Sequence, residues 1–377
     1  MSLEGELKIT IGVTEKGPNQ VEIFSSRLVG ASRVLEGKTI DEVLYLLPKL
    51  FVVCGHAQHV AGYRAIAALK GSEDHSSKQA QRIAMESVKE HLWRMLLSWP
   101  EAVGLSQDPQ AMRSVLQTQQ AHTQALVEGE GLSAETWLPL HTMLEEYLLG
   151  VSPQTWLAWE RVEDLQQWAQ RETTLAARMI NHVWGQGMAA VGACASNRLP
   201  ALSGEELGRS MKNSDFLAQP MWQGQCCESS CYSRTQSALL TSVSQVYGHG
   251  LISRLVARLT ELCQLYEALR TKDPSLSQRL LPAAALVKDG AVGLVEAARG
   301  RLAHRVELAG EQVTSYRILA PTEWNFHPAG VVAQSLSGLR GEVATVQAQA
   351  HLLIQAVDPC VGYKLMVYEV GEEGGDV

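Results

Sequence analysis

The sequence predicts an α+β fold that is mainly helical, with small β-hairpin sheets at the edges of a helical core. Period-two alternation of apolar residues marks two segments, 6–25 near the N-terminus and 293–319 late in the chain. Between them, from about residue 78 to 275, Ala, Leu, Gln and Glu dominate and alternating β-branched runs almost vanish. That composition is typical of consecutive helices.

Composition excludes several classes of function. The 377 residues are 46% hydrophobic and 19% charged, which is typical of a folded globular chain. A formal charge of −8 argues against a nucleic-acid partner, because neutralising phosphates requires clustered Lys and Arg. The sequence has no leader pattern and no apolar run long enough to span a bilayer, so we expect no membrane partner. Seven sparse cysteines, an odd number, favour a reduced cytoplasmic protein over a disulfide framework.

The first elements follow from local patterns. The alternation in 6–25 is interrupted by a turn at 15–19, which predicts a β-hairpin. Thr39 followed by Glu42 is a capping-box pattern and predicts a helix that Pro48 should end or kink. A second helix is expected over 58–70.

Later elements are predicted in the same way. Pro109 and the pair Ser152-Pro153 indicate helix starts within the central block. The runs 304–308 and 313–319 flank a turn and predict another hairpin. We expect one last helix at about 331–356 and a frayed tail at the end.

These elements suggest one domain over 1–377 and no linker within it. Its expected parts are an N-terminal β-hairpin region at 1–37, a helical core at 38–285, a β-hairpin region at 286–325, and a C-terminal helix with an Asp-Pro-Cys tail at 326–377.

Two cysteines at opposite ends of the chain stand beside turn-forming residues, which suggests a site that closes only in the folded protein. Each belongs to one of four local patterns that occur in a fixed order. The patterns are Cys54-Gly55, Glu-Ala-Ala-Arg-Gly at 296–300, Pro-Thr-Glu-Trp-Asn at 321–325 and Asp-Pro-Cys at 358–360.

This order of motifs resembles that of the large subunit of [NiFe]-hydrogenases. In that family, Cys-Gly-x-Cys and Asp-Pro-Cys-x-x-Cys supply four thiolates that hold nickel and an iron carrying carbon monoxide and cyanide; soft thiolates suit such metals. The resemblance extends to segment 3–7, which is similar to the family's Glu-Gly-His-Leu opening, and faintly to segment 228–234. It implies a large-subunit-like helical core.

The departures from that pattern concern the residues that bridge the two metals. Ala57 and Tyr363 stand where the family has its second cysteines, and Ala61 and Met366 replace two histidines, one of them at the C-terminal processing point. The resemblance therefore argues against an enzyme acting on hydrogen, and we expect no C-terminal cleavage.

One branch of the family shows the same losses: the HupK/HoxV accessory proteins, whose signature resembles segment 46–58, with Ala-Gln following Cys-Gly-x. Segments 90–94 and 98–100 are also similar to that branch. The resemblance implies a non-catalytic scaffold or chaperone in hydrogenase maturation. Its partners would be hydrogenase maturation proteins and the large-subunit precursor.

The same resemblance implies roles for individual residues. Cys54 and Cys360 would hold a transient iron carrying cyanide and carbon monoxide, and nickel is not expected. Arg299 would donate to one cyanide, because a guanidinium is always charged and carries several donors. Pro321 and Thr322 stand where a turn and a hydroxyl would donate to the other cyanide.

Alternatives remain open at this point. The protein could instead be a metal-free chaperone that protects the immature large subunit, for example from oxygen. Cys226, Cys227 and Cys231 form a local cluster, but its spacing does not match a four-ligand zinc site and its role stays open. His56 and His59 flank the first cysteine, and we expect them to be solvated or core residues.

Overall fold

The computed structural model describes residues 5–26, 30–72, 76–107, 109–128 and 133–370. It confirms a mainly helical α+β fold. The strands are β1 Leu7–Val13, β2 Gln20–Ser25, β3 Asn197–Arg198, β4 Cys227–Glu228, β5 Ala285–Val287, β6 Gly290–Ala297, β7 Gly300–Ala309, β8 Gln312–Leu319 and β9 Tyr363–Glu369. Residues 3–4 of the family-like opening and the tail at 371–377 lie outside the described residues.

The helices form most of the chain. They are α1 Ile40–Leu50, α2 Gly55–Lys70, α3 Ser76–Trp93, α4 Trp99–Ala102, α5 Pro109–Glu128, α6 Ala134–Thr142, α7 Pro153–Leu157, α8 Val162–Ala169, α9 Leu175–Gly185, α10 Gly204–Ser210, α11 Ser214–Ala218, α12 Cys231–Arg234, α13 Ala238–Tyr247, α14 Leu251–Thr271, α15 Leu276–Leu280, α16 Pro321–Asn325, α17 Val331–Ser337 and α18 Val343–Val357. None of the helices within the described residues is long and apolar enough to cross a membrane.

The first sheet joins the two ends of the chain. Strands β1 and β2 pair antiparallel, which confirms the predicted hairpin. Strand β9 adds to the other side of β1 in parallel, with Met366 opposite Thr10. The position at which the family has its processing histidine therefore lies inside a paired strand. The sheet order is β2-β1-β9. Leu7, Ile9 and Ile11 direct the buried face of β1 into the main core.

The capping box at Thr39 is confirmed, because its hydroxyl accepts from the Glu42 N–H and Glu42 accepts from the Thr39 N–H. Helix α1 nevertheless runs two residues beyond Pro48. Proline lacks the N–H that would bond the Leu44 carbonyl. The His59 ring replaces that donor, with Nδ1 lying 3.0 Å from Leu44 O, and this contact explains why the helix does not stop at the proline.

The helical core is built around α14, most of whose side chains are buried. The predicted starts at Pro109 and Ser152 are confirmed, and Ser152 Oγ accepts from the Thr155 N–H. Helices α3, α7, α13 and α18 pack around α14. Two π-helical segments, Arg94–Ser98 and Met143–Leu149, continue helices of the core.

The second sheet has four antiparallel strands in the order β5-β6-β7-β8. The β7–β8 pair confirms the hairpin predicted at 304–319. Helix α2 packs closely across β6: a Cβ atom built at Gly293 would lie 2.0 Å from the Ala61 carbonyl oxygen. Only glycine permits this approach, which fixes α2 over the sheet.

The prediction of a single C-terminal helix over 331–356 is wrong, because residues 338–342 separate α17 from α18. Gly341 has φ +123°, a conformation that favours glycine and cannot continue a helix. Asn19 Nδ2 donates to Leu336 O in the last turn of α17 at 3.4 Å and to Leu339 O in the break at 3.0 Å. Helix α18 ends at Val357, and the next residue, Asp358, has φ +68°.

Candidate metal centre

Cys54 lies at the end of a short 3-10 turn, Val52–Cys54, immediately before α2. Its side chain is buried, and it is a free thiol. Gln58, one turn along α2, directs its amide Nε2 to Cys54 Sγ at 3.5 Å. Gln58, the second residue of the Ala-Gln pair in the accessory-protein signature, therefore contacts Cys54 directly.

The Gln58 contact is the end of a buried chain of hydrogen bonds. Gln58 Oε1 lies 2.8 Å from His304 Nε2, and His304 Nδ1 lies 2.7 Å from the Tyr316 hydroxyl. Burial lowers the pKa of His304 to about 3, so the ring is neutral. Because the Gln58 oxygen can only accept, His304 donates from Nε2 and accepts the Tyr316 proton at Nδ1. The chain fixes the orientation of the Gln58 amide.

A carboxylate from α3 holds the start of α2 in place. Glu86 accepts from the His56 N–H at 2.9 Å and from the Ala57 N–H at 3.0 Å. These N–H groups belong to the unsatisfied first turn of the helix. Burial raises the pKa of Glu86 to about 7, although both N–H groups oppose that shift. These two hydrogen bonds therefore hold the segment that carries Cys54 against α3, although Glu86 lies 30 residues after His56.

Cys360 reaches the same place from the other end of the chain. It follows α18, is buried and forms no disulfide. Its backbone N–H donates to Thr322 Oγ1 at 3.0 Å. The two cysteines interact: a hydrogen bond with Cys360, then burial, and then the charges of Cys360 and Glu86 hold the pKa of Cys54 well above its ordinary value. Cys54 therefore keeps its proton at neutral pH.

Arg299 lies at the tip of the tight β6–β7 turn, next to Gly300. Its Nη2 donates to Glu90 Oε2 at 3.0 Å, and its Nε lies 3.1 Å from Asp358 Oδ1. The side chain is 3% exposed, and within the described residues Nη1 has no hydrogen-bond partner. Burial alone would lower the pKa of Arg299, but Asp358, Glu90 and both thiols hold it above its ordinary value. Arg299 therefore gives the site a buried, charged guanidinium whose Nη1 can still donate a hydrogen bond.

Asp358 connects the second cysteine loop to three guanidinium groups. Its Oδ1 lies 2.7 Å from Arg94 and 3.1 Å from Arg299, and its Oδ2 accepts from Arg258 at 3.0 Å. Burial would raise the pKa of Asp358, but the three arginines hold it below its ordinary value. A fully buried carboxylate of this kind is stable only when paired. The Asp-Pro-Cys loop is therefore anchored electrostatically beside Arg299.

A short segment that the sequence linked only faintly to the family holds the motifs together. Ser229 accepts from Asn325 Nδ2 at 2.7 Å through its carbonyl, and its N–H donates to Asn325 Oδ1 at 2.8 Å. Its hydroxyl accepts from the Arg301 N–H at 2.9 Å. A Cβ atom at Gly300, which has φ +136°, would lie 2.0 Å from Ser229 O. This contact ties the Arg299 turn to the helix that carries Thr322.

The structure thus brings together Cys54, Cys360, Arg299 and Thr322. Pro321 is the first residue of α16, where its fixed φ suits a helix start, and it positions Thr322 without contributing a donor. Gln58, Glu86 and Ser229 are the neighbours that the sequence did not assign. Gln58 carried a signal, because it lies in the Ala-Gln pair of the accessory signature, whereas Glu86 carried none.

A cavity of about 520 Å³ adjoins this group, and its lining includes Cys360 and Arg299. Three of its other lining side chains are exposed apolar residues: Val52 (70%), Trp93 (43%) and Leu116 (42%). The site can therefore be reached from the surface through an apolar rim.

The positions of the missing bridging cysteines supply no ligand. Ala57 is fully buried, and the Tyr363 hydroxyl lies 3.1 Å from His351 Nδ1. Ala61 packs against β6, and Met366 is an exposed residue of β9. The chain offers two thiols at this site, not four.

A second group of potential ligands is already occupied by protein contacts. Atoms of His91, Cys231 and Glu261 lie within 4.8 Å of one another. Glu261, however, accepts from Arg234 at 2.6 and 2.9 Å and lies 2.9 Å from the His91 ring. Burial raises the pKa of Cys231 to about 12, so it is a protonated thiol. We assign this group a structural role.

The three clustered cysteines do not converge on one point. Cys226 Sγ lies 3.3 Å from His327 Nδ1, whereas Cys231 donates to Ala298 O at 3.6 Å. Cys227 is directed to Gln225 O. A shared metal site among them is not supported within the described residues.

Comparison with known proteins shows which family the chain resembles. Residues 227–363 match the family model described as nickel-dependent hydrogenase. The chain is 31% identical to the hydrogenase expression/formation protein HoxV of Cupriavidus necator, over 95% of each chain. It is 27% identical to the hydrogenase expression/formation protein HupK of Rhizobium leguminosarum bv. viciae, over 98% of each chain.

Solved structures share the fold. An NAD+-reducing [NiFe]-hydrogenase in the H2-reduced state matches with a TM-score of 0.60 and 15% identity, covering 93% of this chain and 94% of that one. The Ni-Fe-Se hydrogenase of D. vulgaris Hildenborough matches with a TM-score of 0.55 and 12% identity, covering 92% and 94%. At these identities the likeness concerns the fold alone.

Proposed function

Because the chain belongs to the family of HoxV- and HupK-type hydrogenase expression/formation proteins, we propose that it is a non-catalytic scaffold in hydrogenase maturation. It holds an iron–cyanide–carbonyl fragment between Cys54 and Cys360 and then passes the fragment to the apo large subunit. The fragment is cargo, not a resident cofactor, and nickel is not part of it. The single observation that carries the proposal is the buried cysteine pair beside a guanidinium with an unpartnered N–H.

The donor set suits such a cargo. Two thiolates are soft ligands for iron, and both must lose their protons on binding. Arg299 Nη1 supplies a charge-assisted donor for one anionic ligand. The Thr322 hydroxyl accepts from the Cys360 N–H, which leaves its own proton for a second ligand. Two ligands, not four, also suit a fragment that must leave again.

The test is iron content after anaerobic purification from cells that carry the maturation machinery. We expect iron in the wild-type protein and its loss in Cys54→Ser and in Cys360→Ser. Cys194→Ser is the matched control, because Cys194 lies outside the site and its thiol contacts Val331 O and Ser335. Equal iron content in all four proteins would contradict the proposal.

A second candidate is a metal-free chaperone that binds the immature large subunit, and the exposed apolar rim of Val52, Trp93 and Leu116 favours it. Hydrogenase maturation in cells separates the two functions. The scaffold requires both thiols, so the two serine variants should fail to support maturation. A chaperone would retain its activity in these variants and lose it when Val52 and Trp93 are replaced by Ser.

A further inference from the structure

A second cavity, of about 710 Å³, lies on the surface beside α12 and α13 and is separate from the cysteine pair. Most of its lining residues have polar side chains. Six lining residues carry the argument: Arg198, Tyr232, Thr235, Ser237, Ser244 and His249. The lining contains one fixed cation and no carboxylate, so its electrostatic character favours an anion.

Arg198 is the cation of this cavity. Strand β3 pairs with β4 and fixes its backbone, and its guanidinium lies over the Tyr232 ring, 4.7 Å from the ring centroid. The side chain is exposed and makes no ion pair within the described part of the chain. A planar guanidinium held on an aromatic face is preorganised to bind an oxyanion through two N–H groups.

Thr235 provides independent evidence for a ligand. Its residue is 3% exposed and lines the cavity, yet Oγ1 has no hydrogen-bond partner within the described residues. Buried hydroxyls are normally satisfied, and an unsatisfied one costs stability unless something outside the chain bonds to it. His249 Nδ1, in the same lining, is unpartnered as well.

Two further hydroxyl protons are available. Ser237 Oγ accepts from the Leu240 N–H, and Ser244 Oγ accepts from the Tyr232 hydroxyl, so each serine keeps its own proton to donate. Ser237 is also the N-cap of α13, a helix of ten residues whose N-terminus favours negative charge.

We propose that this cavity binds the phosphate group of a small phosphate ester, with Arg198 as the charged ligand and Thr235, Ser237 and Ser244 as hydroxyl donors. A tetrahedral phosphate offers enough acceptor oxygens for a guanidinium and several hydroxyls at once. The Tyr232 ring is 1% exposed, so it has no free face on which a nucleobase could stack. The site recognises the phosphate and not a base.

The test is calorimetric titration of the full-length protein with inorganic phosphate, a simple alkyl phosphate, tripolyphosphate, a nucleoside triphosphate and acetate. We expect both inorganic phosphate and the alkyl ester to bind, the nucleoside triphosphate to bind no tighter than tripolyphosphate, and acetate to bind much more weakly. Failure of phosphate to bind in the millimolar range, or equal binding of acetate, would overturn the proposal. So would tighter binding of the nucleoside triphosphate.

Substitutions test whether Arg198 and Thr235 bind the phosphate. Arg198→Gln should weaken phosphate binding about tenfold or more, because it removes a charge-assisted pair. Arg171→Gln, at another exposed arginine, should leave the affinity unchanged. Thr235→Val should weaken binding severalfold without lowering the melting temperature of the phosphate-free protein, because its hydroxyl makes no hydrogen bond there. Wild-type affinity in both Arg198→Gln and Thr235→Val would contradict the assignment.

Discussion

The backbone N–H of Cys360 donates a hydrogen bond to the Thr322 hydroxyl at 3.0 Å. This bond connects the last cysteine motif to the short helix α16, and Asn325 on the same helix is bonded to Ser229 beside the Arg299 turn. The position of the second thiol therefore depends on contacts from three separate parts of the chain. Each contact can be removed with little change in side-chain volume.

Thr322→Val keeps the shape of the side chain and removes the acceptor for the buried Cys360 N–H. We expect a loss of about 1–3 kcal/mol in the free energy of unfolding, the cost of an unsatisfied buried donor. Iron content should fall too, since the thiol would no longer be fixed. Urea denaturation and iron analysis measure the two effects. Thr322→Ser retains the hydroxyl and should behave as wild type; equal losses in both variants would exclude the hydrogen bond as the cause.

Arg299→Lys keeps the positive charge but not the fork that reaches Asp358 and Glu90 together. We expect the protein to fold and the iron content to drop, because one ammonium cannot also donate to the cargo. Arg299→Met removes the charge from a buried network and should cost about 3 kcal/mol or more of stability. Denaturation curves and iron analysis of the two variants test this order. Full iron retention by Arg299→Met would be incompatible with a role at the cargo.

Gln58→Leu removes the donor to Cys54 and the acceptor for His304. We expect a destabilisation of about 1–3 kcal/mol, because the His304 N–H is left buried and unpaired, together with reduced iron content. Tyr316→Phe is the matched control: it disturbs the far end of the same chain of hydrogen bonds but leaves the Gln58 amide on the thiol. It should lose stability and keep its iron. If the two variants lose iron equally, Gln58 does not act through Cys54.

Protonation of Glu86, which caps the N-terminus of α2, makes the free energy of unfolding depend on pH. Its pKa is raised from 4.5 to about 7 in the folded protein, so its contribution to stability is complete below pH 4.5 and is lost as pH rises through 7. The change should reach roughly 3 kcal/mol, at about 1.4 kcal/mol for each pKa unit. Glu86→Gln should abolish it, and Glu135→Gln on the exposed face of α6 should not. Parallel pH profiles for wild type and Glu86→Gln would contradict the raised pKa.

Local patterns predicted the elements that depend on neighbouring residues. The alternation in 6–25 and in 304–319 predicts hairpins because both strands and their turn lie in one short segment. The capping box at Thr39 is equally local. The fold class and the meeting of Cys54 with Cys360 were also predictable, since the order of motifs resembles a known family.

Features that depend on distant contacts could not be predicted. Strand β9 forms because it pairs with β1, which lies some 350 residues earlier in the chain. Glu86 caps α2 only because α3 packs beside it, and no spacing in the sequence indicates that contact. Helix α1 passes Pro48 because His59 supplies the missing donor. The break between α17 and α18 had a visible signal in Gly338 and Gly341, but apolar residues on both sides favoured one helix.

The proposed function requires that Cys54 and Cys360 hold iron with diatomic ligands. Infrared spectroscopy of the protein, purified anaerobically from cells that express the maturation machinery, measures this directly. We expect cyanide and carbonyl stretching bands in the wild-type protein and in Cys194→Ser, and none in Cys54→Ser or Cys360→Ser. Absence of these bands from the wild-type protein, or their persistence when both site cysteines are replaced, would contradict the proposal.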